Sequence, residues 1–220
     1  MNTQVAISDS LRGYLALPGS GAGAGVLMLH AWWGLNDFFK QTCDRLAREG
    51  FVVLGPDLYH GAVARTIEEA KRLRQSLDSN VAGAEVTAAL DLLKAHKALS
   101  SSRVGIIGFS LGCGFALSAA RSRPKFAKAV VLFYGTGGGK LDKTDAAFLG
   151  HFAENDEWGA GVQKVNALKE RIQSANRPVE FYFYEKTKHW FFEEDRPEYD
   201  KKAARLAWER TIQFLHAQLK

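Results

Sequence analysis

Short apolar runs alternate along the chain with longer segments of helical periodicity, and this alternation limits the fold more than any other feature. Two of the runs, residues 104–107 and 129–133, are almost continuously apolar. Runs of this kind are typical of parallel strands that are covered on both faces. We predict strands at residues 11–16, 25–30, 51–54, 104–109, 128–134, 146–152 and 179–184. The pattern therefore indicates an α/β fold with a mostly parallel central sheet and helices on both of its faces.

Three helical segments can be placed from caps and periodicity. The first begins with Asn36 or Asp37 as its N-cap and ends at Gly50. A second covers about residues 81–97, and the last runs from about Tyr199 to the end of the chain. The apolar stripe of this last helix comprises Ala204, Trp208, Ile212, Leu215 and Leu219. Ligands of such folds bind at the carboxyl ends of the strands, and we expect the functional site there.

The composition favours one soluble domain. With 220 residues, 46% of them hydrophobic, the chain can bury a sizeable core, and we expect residues 1–220 to form a single domain. The net charge of +5 is small, and bases alternate with acids, as in residues 44–49. This alternation argues against a nucleic-acid partner. Cys43 and Cys113 make no disulfide framework, residues 1–11 lack the pattern of a signal peptide, and no apolar stretch approaches a membrane span. We therefore expect a cytoplasmic protein with no membrane partner, and a monomer is favoured.

Two glycine-rich segments resemble nucleotide-binding motifs but fail their positional tests. Residues 19–24 precede a predicted strand, whereas a dinucleotide fingerprint must follow a strand and open a helix. In residues 135–140 the first glycine of a phosphate loop comes one residue too late, and Leu141 stands where Ser or Thr should bind magnesium. The chain also lacks His-Glu-x-x-His and paired Cys-x-x-Cys spacings. We therefore predict no cofactor and no metal site.

The segment that indicates chemistry is Gly108-Phe109-Ser110-Leu111-Gly112. It matches the Gly-x-Ser-x-Gly nucleophile elbow, in which the serine lies on a sharp turn between a strand and a helix. A predicted strand leads into it, and a helical segment follows and ends before Pro124. The backbone N–H of Leu111 would then bind a developing oxyanion. The alternative is an ordinary helix start with Ser110 as its N-cap.

A serine nucleophile needs a histidine base, which in this fold follows it in the chain. His189 is the preferred candidate, because it follows the last predicted strand by a short loop. His30 and His60 precede the elbow, and His151 falls within a predicted strand. The remaining two histidines, His96 and His216, lie in predicted helices with polar neighbours.

The acid that orients the histidine should follow the strand at residues 146–152. Three carboxylates lie there, namely Glu154, Asp156 and Glu157. Asp156 is preferred, although spacing alone does not separate the three. Their alternative role is to supply negative charge at the N-terminus of the next helix, near Gly159.

With these residues placed, the chain resembles the dienelactone hydrolase family of α/β-hydrolases over nearly its whole length. The resemblance lies in His30-Ala31-Trp32-Trp33-Gly34, Gly55-Pro56-Asp57-Leu58-Tyr59, the elbow, Glu154-Asn155-Asp156 and His189-Trp190-Phe191-Phe192. It implies the α/β-hydrolase fold without a lid domain. It also implies that Asp156 is the triad acid and that the N–H of Trp32 is a second oxyanion donor.

The chain departs from the best-known members of this family at three positions. Those members use a cysteine nucleophile and a glutamate in the oxyanion loop, where this chain has Ser110 and Ala31. They also bind a substrate carboxylate with an arginine four residues after the histidine, where this chain has Glu193. A negative Glu193 is expected to oppose an anionic substrate. Arg65 and Arg196 lie near the relevant segments as substitutes. Cys113 is predicted to be a packing residue in the elbow helix.

Four of the five tryptophans lie within three residues of a predicted site residue or segment. We predict that aromatic side chains around Trp32 form an apolar pocket for small acyl groups or aromatic esters. The pocket residues are Trp33, Phe109, Trp158, Trp190 and Phe191. The alternative is that several of these rings pack between loops and core.

The sequence thus predicts a serine hydrolase that cleaves a small-molecule carboxylic ester or lactone. Ser110 forms an acyl-enzyme, His189 transfers the proton and Asp156 orients the imidazole. An acyltransferase or thioesterase with the same triad is an alternative. A non-catalytic binding relative and weak nucleic-acid binding through the basic surface are alternatives from other classes.

Overall fold

The computed structural model describes residues 2–219, which form eight strands and six helices. The strands are β1 (Asn2–Ala6), β2 (Arg12–Ala16), β3 (Gly23–Leu29), β4 (Val52–Pro56), β5 (Leu99–Phe109), β6 (Ala127–Phe133), β7 (Ala147–Asn155) and β8 (Val179–Lys188). The helices are α1 (Asp37–Arg48), α2 (Ile67–Ser76), α3 (Ser79–Ala95), α4 (Leu111–Ser122), α5 (Val162–Ser174) and α6 (Lys201–Leu219). None of these helices is long and apolar enough to cross a membrane.

All eight strands belong to one sheet, in the order β1-β2-β4-β3-β5-β6-β7-β8. β2 runs antiparallel to β1 and β4, and every other neighbouring pair is parallel. The predicted fold class, a mostly parallel sheet covered by helices on both faces, is therefore confirmed. The chain has no separate lid domain within the described residues.

Helices cover both faces because side chains alternate along each strand. In β3, Leu27 and Leu29 face a core that also contains the buried sides of α3, α4 and α5. Val26 and Met28 of the same strand face the opposite core, which contains the buried sides of α1 and α6. A central strand that is apolar on both faces explains why the sequence pattern is continuous rather than alternating.

All seven predicted strands form, several with longer ends, whereas β1 and α2 were missed. β1 is a polar edge strand that pairs only with β2. α2 buries only Ala70, and its signal is a capping box in which Thr66 accepts from the Glu69 N–H and Glu69 accepts from the Thr66 N–H. Both elements lack the apolar periodicity on which the other predictions depended.

The prediction for the last helix was wrong in its start and in its buried face. It begins at Lys201 rather than Tyr199, and residue 220 lies outside the described residues. Its buried face includes Ala207, Thr211, Leu215 and Leu219, whereas Trp208 and Ile212 of the predicted stripe are half-buried. The stripe was misplaced because the small residues Ala203 and Ala207 and the polar Thr211 face the sheet.

Candidate active site

Ser110 lies on the turn between β5 and α4, with φ 48° and ψ −106°. Positive φ is strained for a residue with a side chain and is typical of functional turns. Backbone hydrogen bonds hold the turn: the Ser110 N–H donates to the Phe133 carbonyl at 2.9 Å, and the Cys113 N–H donates to the Ser110 carbonyl at 3.1 Å. The Ser110 side chain makes no capping hydrogen bond to α4. The arrangement is thus the predicted elbow and not a serine N-cap.

The flanking glycines are required by close backbone contacts. A β-carbon at Gly108 would lie 2.6 Å from the Gly112 carbonyl oxygen. A β-carbon at Gly112 would lie 2.5 Å from the Leu29 carbonyl oxygen at the end of β3. These contacts press the start of α4 against the loop that follows β3. Leu111 and Trp32, which belong to these two segments, line the same cleft as Ser110.

A hydrogen-bonded chain joins Ser110, His189 and Asp156. The Ser110 Oγ lies 2.9 Å from His189 Nε2, and His189 Nδ1 lies 2.7 Å from Asp156 Oδ2. His189 is only 3% exposed. With the proton on Nδ1, the imidazole donates to Asp156 and accepts from the serine hydroxyl. The structure brings together the three residues that the sequence placed on separate loops.

Asp156 is held as a carboxylate by several donors. Its Oδ1 accepts hydrogen bonds from the N–H groups of Trp158, Gly159 and Ala160 at 2.8, 3.1 and 3.3 Å. Burial raises the pKa of Asp156, but the hydrogen bond and charge of His189, with the backbone donors, outweigh burial and leave the pKa below its ordinary value. The other two candidates, Glu154 and Glu157, are exposed, and Glu154 accepts from the Lys186 N–H.

Two aromatic rings flank the His189 imidazole. The Tyr134 ring lies 5.0 Å from it, and the Trp190 ring lies 5.0 Å from it at right angles. Trp190 has φ 65°, so the chain turns sharply directly after the histidine. Trp190 also contacts Trp32 and Trp158, which joins the loops that carry His189, Trp32 and Asp156.

The cleft over Ser110 has a volume of about 220 Å³. It is lined by Trp32, Arg74, Ser110, Leu111, Tyr134, Gly135, Thr136, Trp158, Gly159 and His189. Sequence reasoning missed Arg74, Tyr134 and Thr136. Arg74 belongs to the missed helix α2, and the sequence signal for that helix is the Thr66–Glu69 capping box.

Only Trp158 of the five predicted pocket residues lines this cleft. Trp33, Phe109, Trp190 and Phe191 are at most 3% exposed and belong to the core. Phe109 precedes Ser110 on β5, and its ring packs on Phe133 at 4.6 Å, away from the cleft. The prediction of a pocket formed by all five rings is therefore wrong, because four of them are packed in the core.

The two arginines predicted near the site lie elsewhere. Arg65 and Arg196 line a separate groove of about 420 Å³ beside the N-terminus of α1. The Arg196 guanidinium lies 3.9 Å from the Trp33 ring, a cation–π contact. Neither arginine lines the cleft at Ser110.

Glu193 does not face the cleft either. It is fully buried, its Oε1 accepts a 2.8 Å hydrogen bond from the Tyr134 hydroxyl, and burial raises its pKa to about 8. The expectation that a negative Glu193 opposes an anionic substrate was therefore wrong.

His30, His151 and Cys113 are buried and have structural roles. His30 donates from Nδ1 to the Ala31 carbonyl at 2.6 Å and accepts from the Leu58 N–H at 3.2 Å, which ties the Trp32 loop to the loop after β4. Burial lowers the pKa of His151 to about 3, and its ring nitrogens contact Tyr184 and Thr211. Cys113 is fully buried with a raised pKa.

This sheet order, with a serine elbow after its central strand, defines an enzyme of the α/β-hydrolase fold. Residues 11–219 match the model of the dienelactone hydrolase family, and the chain belongs to that family. Members of this family are hydrolases, and the chain is a hydrolase of ester or lactone bonds.

Relatives match nearly the full chain. Protein usf of Aquifex pyrophilus is 32% identical over 95% of this chain and 94% of its own length. A probable 2-oxo-3-(5-oxofuran-2-ylidene)propanoate lactonase of Bradyrhizobium is 29% identical over 96% of this chain and 91% of its own. Among solved structures, a putative dienelactone hydrolase of Klebsiella pneumoniae superimposes with a TM-score of 0.86 at 21% identity, covering 98% of both chains.

Proposed function

We propose that the chain cleaves a carboxylic ester or lactone through an acyl-enzyme on Ser110. The observation that supports the proposal is the hydrogen-bonded chain of 2.9 and 2.7 Å from the Ser110 hydroxyl through His189 to Asp156. His189 removes the hydroxyl proton as the oxygen attacks the carbonyl carbon. Asp156 holds the tautomer that makes this transfer possible and stabilises the imidazolium that forms.

The carbonyl oxygen becomes an oxyanion in this step. The Leu111 and Trp32 backbone N–H groups are its proposed donors, since both residues line the cleft beside Ser110. A donor of this type contributes about 3 kcal/mol to transition-state stabilisation.

The tetrahedral intermediate then collapses and breaks the bond to the alkoxide, which takes the proton from His189. In a lactone this alkoxide stays attached to the acyl chain as its free hydroxyl end. Water, deprotonated by the same imidazole, attacks the acyl-enzyme and releases the carboxylic acid and Ser110.

A serine-directed fluorophosphonate tests this mechanism on the wild-type protein. Its phosphorus forms a bond to the activated serine oxygen with loss of fluoride, and the expected result is one adduct on the peptide that contains Ser110. The same protein is expected to hydrolyse members of a panel of 4-nitrophenyl esters and lactones. A wild-type protein with neither adduct nor turnover would overturn the proposal.

The charge of the cleft favours a substrate that carries an anionic group. Arg74 is exposed and lines the cleft, and no carboxylate among the described residues lines it. The Bradyrhizobium relative is named for a lactone that bears a propanoate group. We propose that Arg74 binds the carboxylate of a small ester or lactone while the scissile carbonyl meets Ser110.

Replacement of Arg74 by glutamine is expected to raise KM for an anionic ester about tenfold, because a charge-assisted hydrogen bond is lost. KM for a neutral ester of the same length should change less than twofold. The 4-nitrophenyl monoester of succinate and 4-nitrophenyl butyrate form a suitable pair for steady-state kinetics.

Arg72→Gln is the matched control, because Arg72 is an exposed arginine of the same helix that does not line the cleft. An Arg74→Gln protein that treats both esters as the wild type does, or one that loses both equally, would contradict the role of Arg74.

A further inference from the structure

Glu193 is a buried carboxyl for which the ester-cleavage mechanism above has no use. It lies four residues after His189 and has no exposed surface. One oxygen accepts a 2.8 Å hydrogen bond from the Tyr134 hydroxyl, and the other oxygen has no hydrogen-bond partner among the described residues. Burial of a carboxyl with half of its hydrogen-bonding capacity unmet is costly. An apolar side chain at position 193 would avoid this cost, so the presence of a carboxyl there indicates a role for it.

Among the described residues, the hydrogen-bond partner of the Glu193 side chain is Tyr134, whose ring lies beside the His189 imidazole. Tyr134 is fully buried, and its ring centroid lies 5.0 Å from that of His189 at an angle of 58°. Trp190 contacts the same imidazole at 5.0 Å and 90°. The imidazole therefore has a tyrosine and a tryptophan as neighbours, in addition to its hydrogen bonds to Ser110 and Asp156.

The backbone conformation of Tyr134 is unfavourable, so other interactions must hold its ring in place. It follows β6 with φ 39°, a conformation unusual for an aromatic residue. Its N–H donates to the His151 carbonyl at 2.8 Å, which fixes the backbone, while the hydrogen bond to Glu193 fixes the far end of the ring. Without that bond, the far end of the ring would be held by packing alone.

Glu193 is well placed to anchor the ring relative to the histidine. Its N–H donates to the Trp190 carbonyl at 2.9 Å, and its carbonyl accepts from the Arg196 N–H at 3.0 Å. Glu193 thus belongs to the same tight turn as His189 and Trp190. Glu193 is therefore linked to His189 in two ways: through the backbone of this turn, and through its hydrogen bond to Tyr134, whose ring contacts the imidazole.

We propose that Glu193 is a positioning residue, which acts through Tyr134 to hold the His189 imidazole in the orientation that ester cleavage requires. The proposal rests on the proposed function, because it assigns Glu193 a role in the action of the His189 base. Neither Glu193 nor Tyr134 transfers a proton to substrate.

The charges around Glu193 suit this role. Burial is the main cause of its raised pKa, and the charges of Asp195 and Glu198 raise it further, whereas the Tyr134 hydrogen bond and Arg196 lower it. Tyr134 also has a raised pKa, chiefly through burial, with Glu193, Cys113 and Asp195 adding to it. The pair is therefore mainly neutral at pH 7. It orients the imidazole without placing a second negative charge beside the one that Asp156 supplies.

A double-mutant cycle on kcat tests the proposal. Glu193→Met removes the acceptor at similar volume, and Tyr134→Phe removes the donor. Each change is expected to lower kcat for 4-nitrophenyl acetate about tenfold with KM changed less than twofold, and the double variant should be no slower than the single ones. Glu193→Gln keeps an acceptor oxygen for the tyrosine and should restore kcat to within about threefold of the wild type.

Glu194→Met is the control, since Glu194 is the neighbouring, exposed glutamate, whose side chain is 60% exposed. Losses that multiply in the double variant, a Glu193→Gln protein as slow as the Glu193→Met protein, or an equal loss in the control would each overturn the proposal. Circular dichroism and the fraction labelled by fluorophosphonate show whether a loss of kcat is only a loss of folded protein. A wild type that labels on Ser110 while the variants keep full kcat refutes the role of Glu193 alone, whereas a wild type that neither labels nor turns over refutes the proposed function.

Discussion

Replacement of Ser110 by alanine is expected to lower kcat for ester hydrolysis by a factor of about 10⁴ to 10⁶. In the proposed mechanism this change removes the oxygen that forms the acyl-enzyme, and His189 and the proposed oxyanion donors then assist only the direct attack of water. Those groups remain in place, so KM should change little. Steady-state kinetics with a 4-nitrophenyl ester, at protein concentrations high enough to detect the residual rate, measure the effect.

The fold should survive this change. Alanine removes one oxygen, and the backbone bonds of the elbow, from Ser110 to Phe133 and from Cys113 to Ser110, remain. Ser122→Ala is a control at the other end of the same helix, where the hydroxyl only donates to the Ala119 carbonyl. A Ser110→Ala protein that kept more than about 1% of the wild-type kcat would contradict a serine nucleophile, and so would equal losses in the two variants.

The fold was predictable where one physical rule decides the structure. Strands buried on both faces must be apolar throughout, and the central strands β5 and β6 were found from this rule alone. β1 and α2 are stabilised differently, by edge pairing and by a capping box, and both remain largely exposed. Their sequences therefore carry no burial pattern, and the absence of α2 from the prediction also removed Arg74 from the site.

The site was predictable where backbone geometry determines the residue type. Ser110 is identified by the glycines around it, because the contacts at Gly108 and Gly112 leave no room for a β-carbon. Apart from the family resemblance, what separates Asp156 from Glu154 is the direction of a loop: Asp156 accepts three backbone N–H groups, while Glu154 accepts from the Lys186 N–H. Spacing along the chain does not contain that direction.

The pocket prediction failed for a related reason. Adjacency in sequence to a site residue does not mean that a side chain faces the cleft, because neighbours on a strand point to opposite faces. Phe109 illustrates this point, because its buried ring packs on Phe133. Glu193, whose charge was expected to act on substrate, is instead buried and bonded to Tyr134.

Replacement of Glu193 by glutamine is expected to change how stability depends on pH. The folded state raises the Glu193 pKa from 4.5 to about 8. Between these values the folded protein keeps a proton that the unfolded chain has lost, so the free energy of unfolding falls as pH rises. The stability present below pH 4.5 is thus lost progressively up to about pH 8, by at most about 1.4 kcal/mol per pH unit. Glutamine has no proton to lose and keeps the acceptor for Tyr134.

The measurement is urea unfolding of both proteins at several pH values from about 5 to 8. Groups that titrate equally in the two proteins cancel in the difference between their unfolding free energies, so that difference isolates Glu193. It should shift in favour of the glutamine variant by about 3 kcal/mol across this range. Glu194→Gln, at an exposed position, should show no such slope. A constant difference between wild type and Glu193→Gln would mean that Glu193 is ionised throughout, and the neutral Tyr134–Glu193 pair would then have to be replaced by a buried negative charge beside the imidazole.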